Sequence, residues 1–213
     1  MLLPLLLLLP LAVNGVIDTT VGFIAIPLTD AQFSVQRPYD VPVEQRYELV
    51  DGVRRMWVYC TDKPHDPTSH TKPRTEIRIE LNYTAGVWQF EGYGYVPAGT
   101  TGVSIMQVFG APPASGHATT LMLHVYDGRL MYYHNETRIV DDDIYDRWFK
   151  LNVIHNADAA KLAVFIDGEE RLFVDGRGMG AVHYFKYGVY TQTDPSYRMD
   201  SRWRDVKVFT MAT

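Results

Sequence analysis

The stretch Pro73–Glu80, PRTEIRIE, carries a charged residue at every second position. Two arginines and two glutamates alternate there with Thr75, Ile77 and Ile79. A period of two is that of a β-strand, because successive side chains of a strand point to opposite faces. The stretch therefore predicts a strand with an apolar face toward a core and a charged face that could hold a ligand.

Short β-rich runs recur along the chain, and turn signals separate them. We predict strands over Arg54–Tyr59, Glu76–Asn82, Gly86–Tyr95, Val103–Phe109, Thr119–Tyr126, Phe149–His155, Lys161–Ile166, Glu170–Val174, Tyr184–Tyr190 and Ser201–Phe209. Asp-Gly pairs at 51–52, 127–128, 167–168 and 175–176 are strong hairpin signals. We find no convincing helical period, so the pattern predicts an all-β jelly-roll sandwich of two antiparallel sheets. Segment 151–173 resembles the closing hairpins of concanavalin-like jelly rolls.

The composition fits one domain with a sizeable core. Hydrophobic residues make up 46% and aromatic residues 13% of the 213 residues. The formal net charge of −5 argues against nucleic acid as a partner, so any anion must bind a local basic cluster. Cys60 is the only cysteine, which excludes an internal disulfide. The seven histidines lack metal-ligand spacing, and we expect no metal, no cofactor and a monomer.

The N-terminus predicts export. Residues 1–15 read as a secretory signal peptide, because their apolar run is too short to span a bilayer comfortably; an uncleaved anchor is the alternative. Residues 16–213 then form a single domain with no membrane span. The glycosylation sequons at Asn82 and Asn135 agree with a secretory route, to the cell wall or the vacuole.

Three predicted strands have polar faces that could meet in one groove. These faces carry Arg74, Glu76, Arg78 and Glu80 on the first strand, Ile105, Gln107 and Phe109 on the second, and Tyr184, Lys186, Gly188, Tyr190 and Gln192 on the third. Arginine binds a carboxylate through two parallel hydrogen bonds, so a groove of this composition suits an acidic ligand. A structural ladder of ion pairs is the alternative interpretation, and the strand period alone leaves it open.

Two signatures resemble those of the alginate-lyase-type polysaccharide lyases. PRTEIR is similar to their Arg-Ser/Thr-Glu-Leu/Ile-Arg motif, and YFKYGVYTQ to their Tyr-Phe-Lys-x-Gly-x-Tyr-x-Gln motif. SIMQVFG stands where those enzymes carry Gln-Ile/Val-His. Longer runs, such as QRPYDVP and VWQFEGYGYVP, resemble one branch in particular, the plant citrate-binding proteins. The similarity extends from about Thr20 to the C-terminus.

The resemblance implies a jelly roll whose cleft cleaves uronic-acid polysaccharides by β-elimination. Removal of the C5 proton of a uronate requires that its carboxylate be neutralised, so that the developing enolate is stabilised. By motif position, Arg74 and Gln107 would hold that carboxylate and Tyr184 would donate the proton. Arg78 and Lys186 would supply positive field, and Glu76 would orient the arginines. Tyr190 and Gln192 would complete the substrate-binding set.

One departure from the family pattern leaves the function open. Phe109 stands in place of the histidine of many lyases and cannot accept a proton. Tyr184 could act as both base and acid, or His70 could supply the base, with His65 of the same loop as a weaker candidate. Otherwise the site binds carboxylates without catalysis. We therefore expect a lyase acting on an anionic polysaccharide, with a citrate-binding protein and a cell-wall lectin as alternatives.

Overall fold

Two antiparallel β-sheets contain nearly all of the regular structure. The computed structural model describes residues 17–211, so the predicted signal peptide lies outside the described residues. The strands are β1 (Phe23–Ile26), β2 (Phe33–Gln36), β3 (Tyr47–Val50), β4 (Val53–Tyr59), β5 (Arg74–Ile79), β6 (Val87–Tyr95), β7 (Val103–Phe109), β8 (Thr119–Tyr126), β9 (Arg129–Tyr132), β10 (Ile139–Asp141), β11 (Trp148–Asn156), β12 (Lys161–Ile166), β13 (Glu169–Asp175), β14 (Tyr184–Thr191) and β15 (Arg198–Met211). Within residues 17–211 the helical elements are three single 3-10 turns, at Asp30–Gln32, Val43–Gln45 and Pro113–Ser115. None of them could cross a bilayer.

The two sheets pack face to face as a jelly roll, which confirms the predicted fold class. The front sheet has the strand order β10-β9-β8-β7-β14-β5-β2. The back sheet has the order β13-β12-β11-β6-β15-β4-β3, and β1 pairs with β15. Fully buried side chains from both sheets meet between them; the Phe90 ring of the back sheet lies 5.7 Å from the Tyr187 ring of the front sheet. Each sheet thus keeps one face for the core and one face outward.

Three of the four Asp-Gly pairs form the predicted hairpins. They join β3 to β4, β8 to β9 and β12 to β13, and both residues of each pair have positive φ. A two-residue turn with positive φ at both positions matches the twist of the flanking strands. The fourth pair, Asp175-Gly176, instead leads out of β13 in the back sheet toward β14 in the front sheet.

The strand arrangement brings the three predicted polar faces together. Strand β14 lies between β5 and β7, and Lys186 pairs with Arg78 on one side and with Gln107 on the other. A β-bulge interrupts β7 between Ser104 and Met106. Because the extra residue reverses the alternation, Ile105 belongs to the core. The prediction that Ile105 shares a face with Gln107 is therefore wrong.

Candidate active site

A buried carboxylate organises the outward face of the front sheet. Glu76 of β5 is fully buried, and its side chain accepts a hydrogen bond of 2.6 Å from Lys186 Nζ and another from Gln107 Nε2. Arg74 Nη1 lies 3.4 Å from the same carboxylate. Three neighbouring strands therefore contribute to one cluster, which we call the Glu76 cluster: Arg74, Glu76, Gln107 and Lys186.

A glycine opposite Glu76 makes this close approach of strands feasible. Gly188 of β14 pairs with Glu76 and has a φ of +136°, in the region that favours glycine. A Cβ atom at this position would lie 2.5 Å from the carbonyl oxygen of Thr75 and 2.8 Å from the Cα atom of Glu76. Close packing therefore explains why the YFKYGVYTQ signature has glycine at this position.

The Glu76 cluster carries more positive than negative charge. Burial lowers the pKa of Lys186, whereas the neighbouring Glu76 raises it. One carboxylate cannot neutralise both Lys186 and Arg74, so a positive charge remains uncompensated in a poorly solvated place. An incoming carboxylate would balance that charge, which is the chemistry that the groove prediction requires.

Two arginine–tyrosine stacks flank the cluster. The Cζ atom of Arg74 lies 3.8 Å from the centre of the Tyr190 ring, and that of Arg78 lies 4.0 Å from the centre of the Tyr184 ring. The ring of Phe109 also stacks on that of Tyr184, with 4.7 Å between the ring centres. Stacking on an aromatic face holds a guanidinium in a fixed orientation. The arginine expected to hold the carboxylate therefore contacts Tyr190, whereas Tyr184 contacts Arg78.

Burial, more than the neighbouring cations, determines the direction in which the pKa of Tyr184 shifts. Burial raises the pKa of Tyr184 above its ordinary value, and the opposing effect of Arg78 is smaller. The nearby cations therefore do not produce a lowered pKa. A phenol that keeps its proton at neutral pH suits a proton donor better than a base.

His65 lies within electrostatic reach of the cluster. Burial and then the cations of Arg74 and Lys186 lower the pKa of His65, so its imidazole is neutral at pH 7. Its Nδ1 atom is buried, with no hydrogen-bond partner among residues 17–211. His70, which the sequence analysis ranked first, is exposed on the same loop. The order of the two histidines along a proline-bearing loop gave no signal for this difference.

The cluster is closed to solvent. Arg74, Gln107 and Lys186 are 6%, 1% and 2% exposed. Gln192 lies just beyond β14, where its Nε2 donates to the carbonyl oxygen of Tyr190. Among the described residues, no three His, Cys, Asp or Glu side chains cluster closely enough to hold a metal ion.

One histidine on the same face escaped the sequence analysis. His124 of β8 pairs with Ser104 across the bulge, is 5% exposed and has two ring nitrogens without a hydrogen-bond partner within residues 17–211. Burial lowers its pKa to about 4. The alternation of Leu121, Leu123 and Val125, which all face the core, could have identified it.

Comparison with known proteins identifies the family of this chain. The alginate lyase family model matches residues 26–210. A citrate-binding protein of Hevea brasiliensis is 48% identical over 194 residues, which cover 90% of this chain and 79% of that protein.

Solved structures share the fold at low sequence identity. The polysaccharide lyase family 7 alginate lyase AlgAT5 superimposes with a TM-score of 0.63 at 16% identity, covering 87% of this chain and 92% of that one. An alginate lyase of Pseudomonas aeruginosa gives 0.62 at 15% identity, with 84% and 97% covered. With the family match spanning most of the described residues, this chain belongs to the alginate lyase family.

Proposed function

We propose that this protein cleaves a uronic-acid polymer, glucuronan-like or alginate-like, by β-elimination. The observation that carries the proposal is the Glu76 cluster, in which Arg74, Gln107 and Lys186 surround one buried carboxylate and leave positive charge uncompensated. Such preorganised donors stabilise negative charge that develops in a transition state. Membership of the alginate lyase family supports the same reaction class.

The reaction then follows from the groups present. Arg74 and Gln107 bind the uronate carboxylate and so acidify the proton on C5. A base takes that proton, the electron pair of the C5–H bond forms a C4=C5 double bond, and the C4–O4 bond breaks. A tyrosine gives its proton to the departing oxygen. Because the cluster is buried, some covering element must move before a polymer contacts it. The loop 61–73, which carries His65, is our candidate for that element.

His65 is our candidate for the base. It is neutral at pH 7 and its buried Nδ1 has no partner within residues 17–211. Tyr184 is the donor predicted from the motif, and its raised pKa suits that role. Tyr190 is the alternative donor that the geometry favours, because its ring contacts Arg74.

A lyase assay tests these roles. Unsaturated uronates absorb in the ultraviolet, so cleavage of polyglucuronate or alginate can be followed directly. We expect His65→Ala to abolish activity and the matched change His70→Ala to leave it intact. The variants Tyr184→Phe and Tyr190→Phe identify the donor, since only the donor's loss should lower kcat more than a hundredfold. Absence of cleavage with every uronate polymer would refute the lyase proposal.

A citrate-binding protein is the second candidate. The 48% identical relative is named for citrate binding, and Phe109 replaces a proton acceptor of the lyases. Citrate presents several carboxylates, which the same cationic cluster could bind. Calorimetric binding of citrate without cleavage of any polymer would favour this candidate.

We also propose that the chain enters the secretory pathway and reaches the cell wall or the vacuole. Its predicted signal peptide and the sequons at Asn82 and Asn135 support this route. The Asn82 side chain is exposed and accepts a hydrogen bond from Arg78, so a glycan there would lie near the cluster. Secretion with a mobility shift on glycosidase treatment, lost in Asn82→Gln and Asn135→Gln, tests the proposal. Sedimentation tests the expected monomer.

A further inference from the structure

The outward face of the back sheet carries arginine and aromatic side chains in cross-strand rows. Trp148 of β11 lies opposite Tyr95 of β6, which lies opposite Arg202 of β15. Arg202 in turn lies opposite Arg55 of β4. These residues point away from the core, since the residue after Trp148, Phe149, is fully buried between the sheets. We call this surface the back face; it lies on the opposite side of the molecule from the Glu76 cluster.

Aromatic rings hold the guanidinium groups of the back face. The Cζ atom of Arg202 lies 4.9 Å from the centre of the Tyr95 ring. That of Arg204 lies 4.7 Å from the ring of Trp148 and 5.4 Å from that of Tyr93. The side chains of Arg202 and Arg204 remain 37% and 44% exposed, and Arg204 has an exposed carboxylate, that of Asp205, at 4.0 Å. A stacked guanidinium can still use its N–H edge for a carboxylate, and little mobility remains to be lost on binding.

A buried carboxylate gathers three arginines of the back face. Asp200 is 2% exposed and lies 2.9 Å from Arg55, 2.9 Å from Arg198 and 3.8 Å from Arg202. Glu48, at 3.3 Å from Arg55, shares part of that charge from the neighbouring strand. The three guanidinium groups carry more charge than these two carboxylates. The surroundings of Asp200 are therefore locally positive, in a chain of formal net charge −5.

The adjoining part of the back face repeats this arrangement. Glu91 is buried on β6, with Lys150 Nζ at 2.8 Å and Lys207 Nζ at 3.6 Å from its carboxylate. A surface depression of about 610 Å³ opens beside these three residues. Lys150 and Lys207 share the buried Glu91, and Asp18 lines the same depression. Two cations therefore face two carboxylates, and the excess of positive charge on the back face is confined to the cluster around Asp200.

We propose that the back face is a second binding surface for a carboxylated polysaccharide, separate from the Glu76 cluster. Both surfaces have a buried carboxylate that collects several cations and aromatic rings that stack on guanidinium groups, but only on the back face are those guanidinium groups exposed. Enrichment in Trp, Tyr and Arg is typical of binding surfaces rather than of merely solvated sheets. Neighbouring strands are about 4.8 Å apart, close to the length of one sugar unit, so a chain crossing the row meets roughly one strand per uronate. Such a surface would hold a polymer without cleaving it.

Affinity electrophoresis of the full-length mature protein tests the proposal. Native gels contain polyglucuronate, alginate or neutral dextran, and retardation gives an apparent dissociation constant. We expect the two uronates, but not dextran, to retard the wild type, and Arg202→Ala/Arg204→Ala to weaken retardation about tenfold or more. Lys161→Ala/Arg171→Ala, at two exposed cations of the neighbouring strands β12 and β13 at the edge of the back sheet, removes the same charge and should bind nearly as the wild type.

A second comparison separates this proposal from the lyase proposal. Arg74→Ala should lose cleavage or citrate binding while retaining most of the retardation, and the back-face variant should retain turnover of a short oligouronate. The proposal fails if Arg202→Ala/Arg204→Ala is retarded as strongly as Lys161→Ala/Arg171→Ala. It also fails if sedimentation finds a dimer that these two substitutions dissociate, because the face would then be occupied by a second copy.

Discussion

The protein should lose stability already at mildly acidic pH, above the pH range in which carboxylates titrate. Burial lowers the pKa of His124 to about 4 and that of His155 to about 3. His155 accepts or donates a 2.9 Å hydrogen bond with the Tyr83 hydroxyl, and its ring lies 4.6 Å from that of His183. Burial also lowers the pKa of His183. The imidazoles of His124 and His155 are therefore neutral in the folded state at mildly acidic pH.

The magnitude follows from proton linkage. An unfolded histidine titrates near pH 6.5, so between about pH 4 and 6.5 the unfolded state binds more protons than the folded state, and stability falls as the pH falls. At pH 5 each such histidine costs about 2 kcal/mol relative to pH 8, because RT ln(1 + 10^1.5) is about 2 kcal/mol. His124 and His155 together should therefore lower the free energy of unfolding by about 4 kcal/mol, a large part of the total for an ordinary domain.

Urea unfolding followed by tryptophan fluorescence at pH 8, 7, 6 and 5 measures this loss. His124→Leu and His155→Leu should each remove about 2 kcal/mol of the difference between pH 8 and pH 5, whatever they do to stability at pH 8. His117→Leu, at an exposed position, should leave the difference unchanged. A loss below about 1 kcal/mol, or an unaltered slope in both buried-site variants, would refute the reasoning.

Three further results are expected. Glu76→Gln should lower the free energy of unfolding by roughly 3–5 kcal/mol, measured with urea at pH 7, because buried cations lose their partner. In the alkaline range the stability of this variant should also rise more steeply with pH than that of the wild type, since the already lowered pKa of Lys186 falls further. Wild-type stability in this variant would contradict the proposed organising role. Gly188→Ala should destabilise by about 2–5 kcal/mol through backbone strain and a clash with the Thr75 carbonyl, checked by thermal unfolding. Arg74→Ala should weaken citrate binding about tenfold or more by calorimetry, and unchanged affinity would exclude this site.

The sequence predicted the strands in which polar and apolar residues alternate and missed the short strands without such a pattern. The residues on the outward face of β5 followed from a period of two, and the Asp-Gly pairs located three hairpins. The short strands β1, β2, β3, β9 and β10 were not predicted, because three or four residues of mostly edge position carry little periodic signal.

The site was predictable in its residue types and less so in its contacts. Arg74, Glu76, Gln107 and Lys186 meet as expected: alternation gave the face of each residue, and the resemblance to the lyases implied that the three strands are neighbours. The motif ranks Tyr184 as the donor, but the strand period does not separate it from Tyr190, because both lie on the same strand face. The sequence ranks His70 before His65, although the path of an irregular loop depends on tertiary contacts. The bulge that turns Ile105 into the core left no mark in the sequence.

The position of the last two strands has a consequence for biosynthesis. Strand β14 lies between β7 and β5, and β15 lies between β6 and β4, so the C-terminal end of the chain fills the middle of both sheets. The Lys186–Glu76 pair closes a separation of 110 residues. Contacts this distant make folding slow, and a ribosome-bound chain that ends before β14 exposes two unpaired strand edges in each half-built sheet. Folding of both sheets must therefore wait until β14 and β15 have been synthesised, and the yield of folded protein would depend on how well chaperones protect the nascent chain until then.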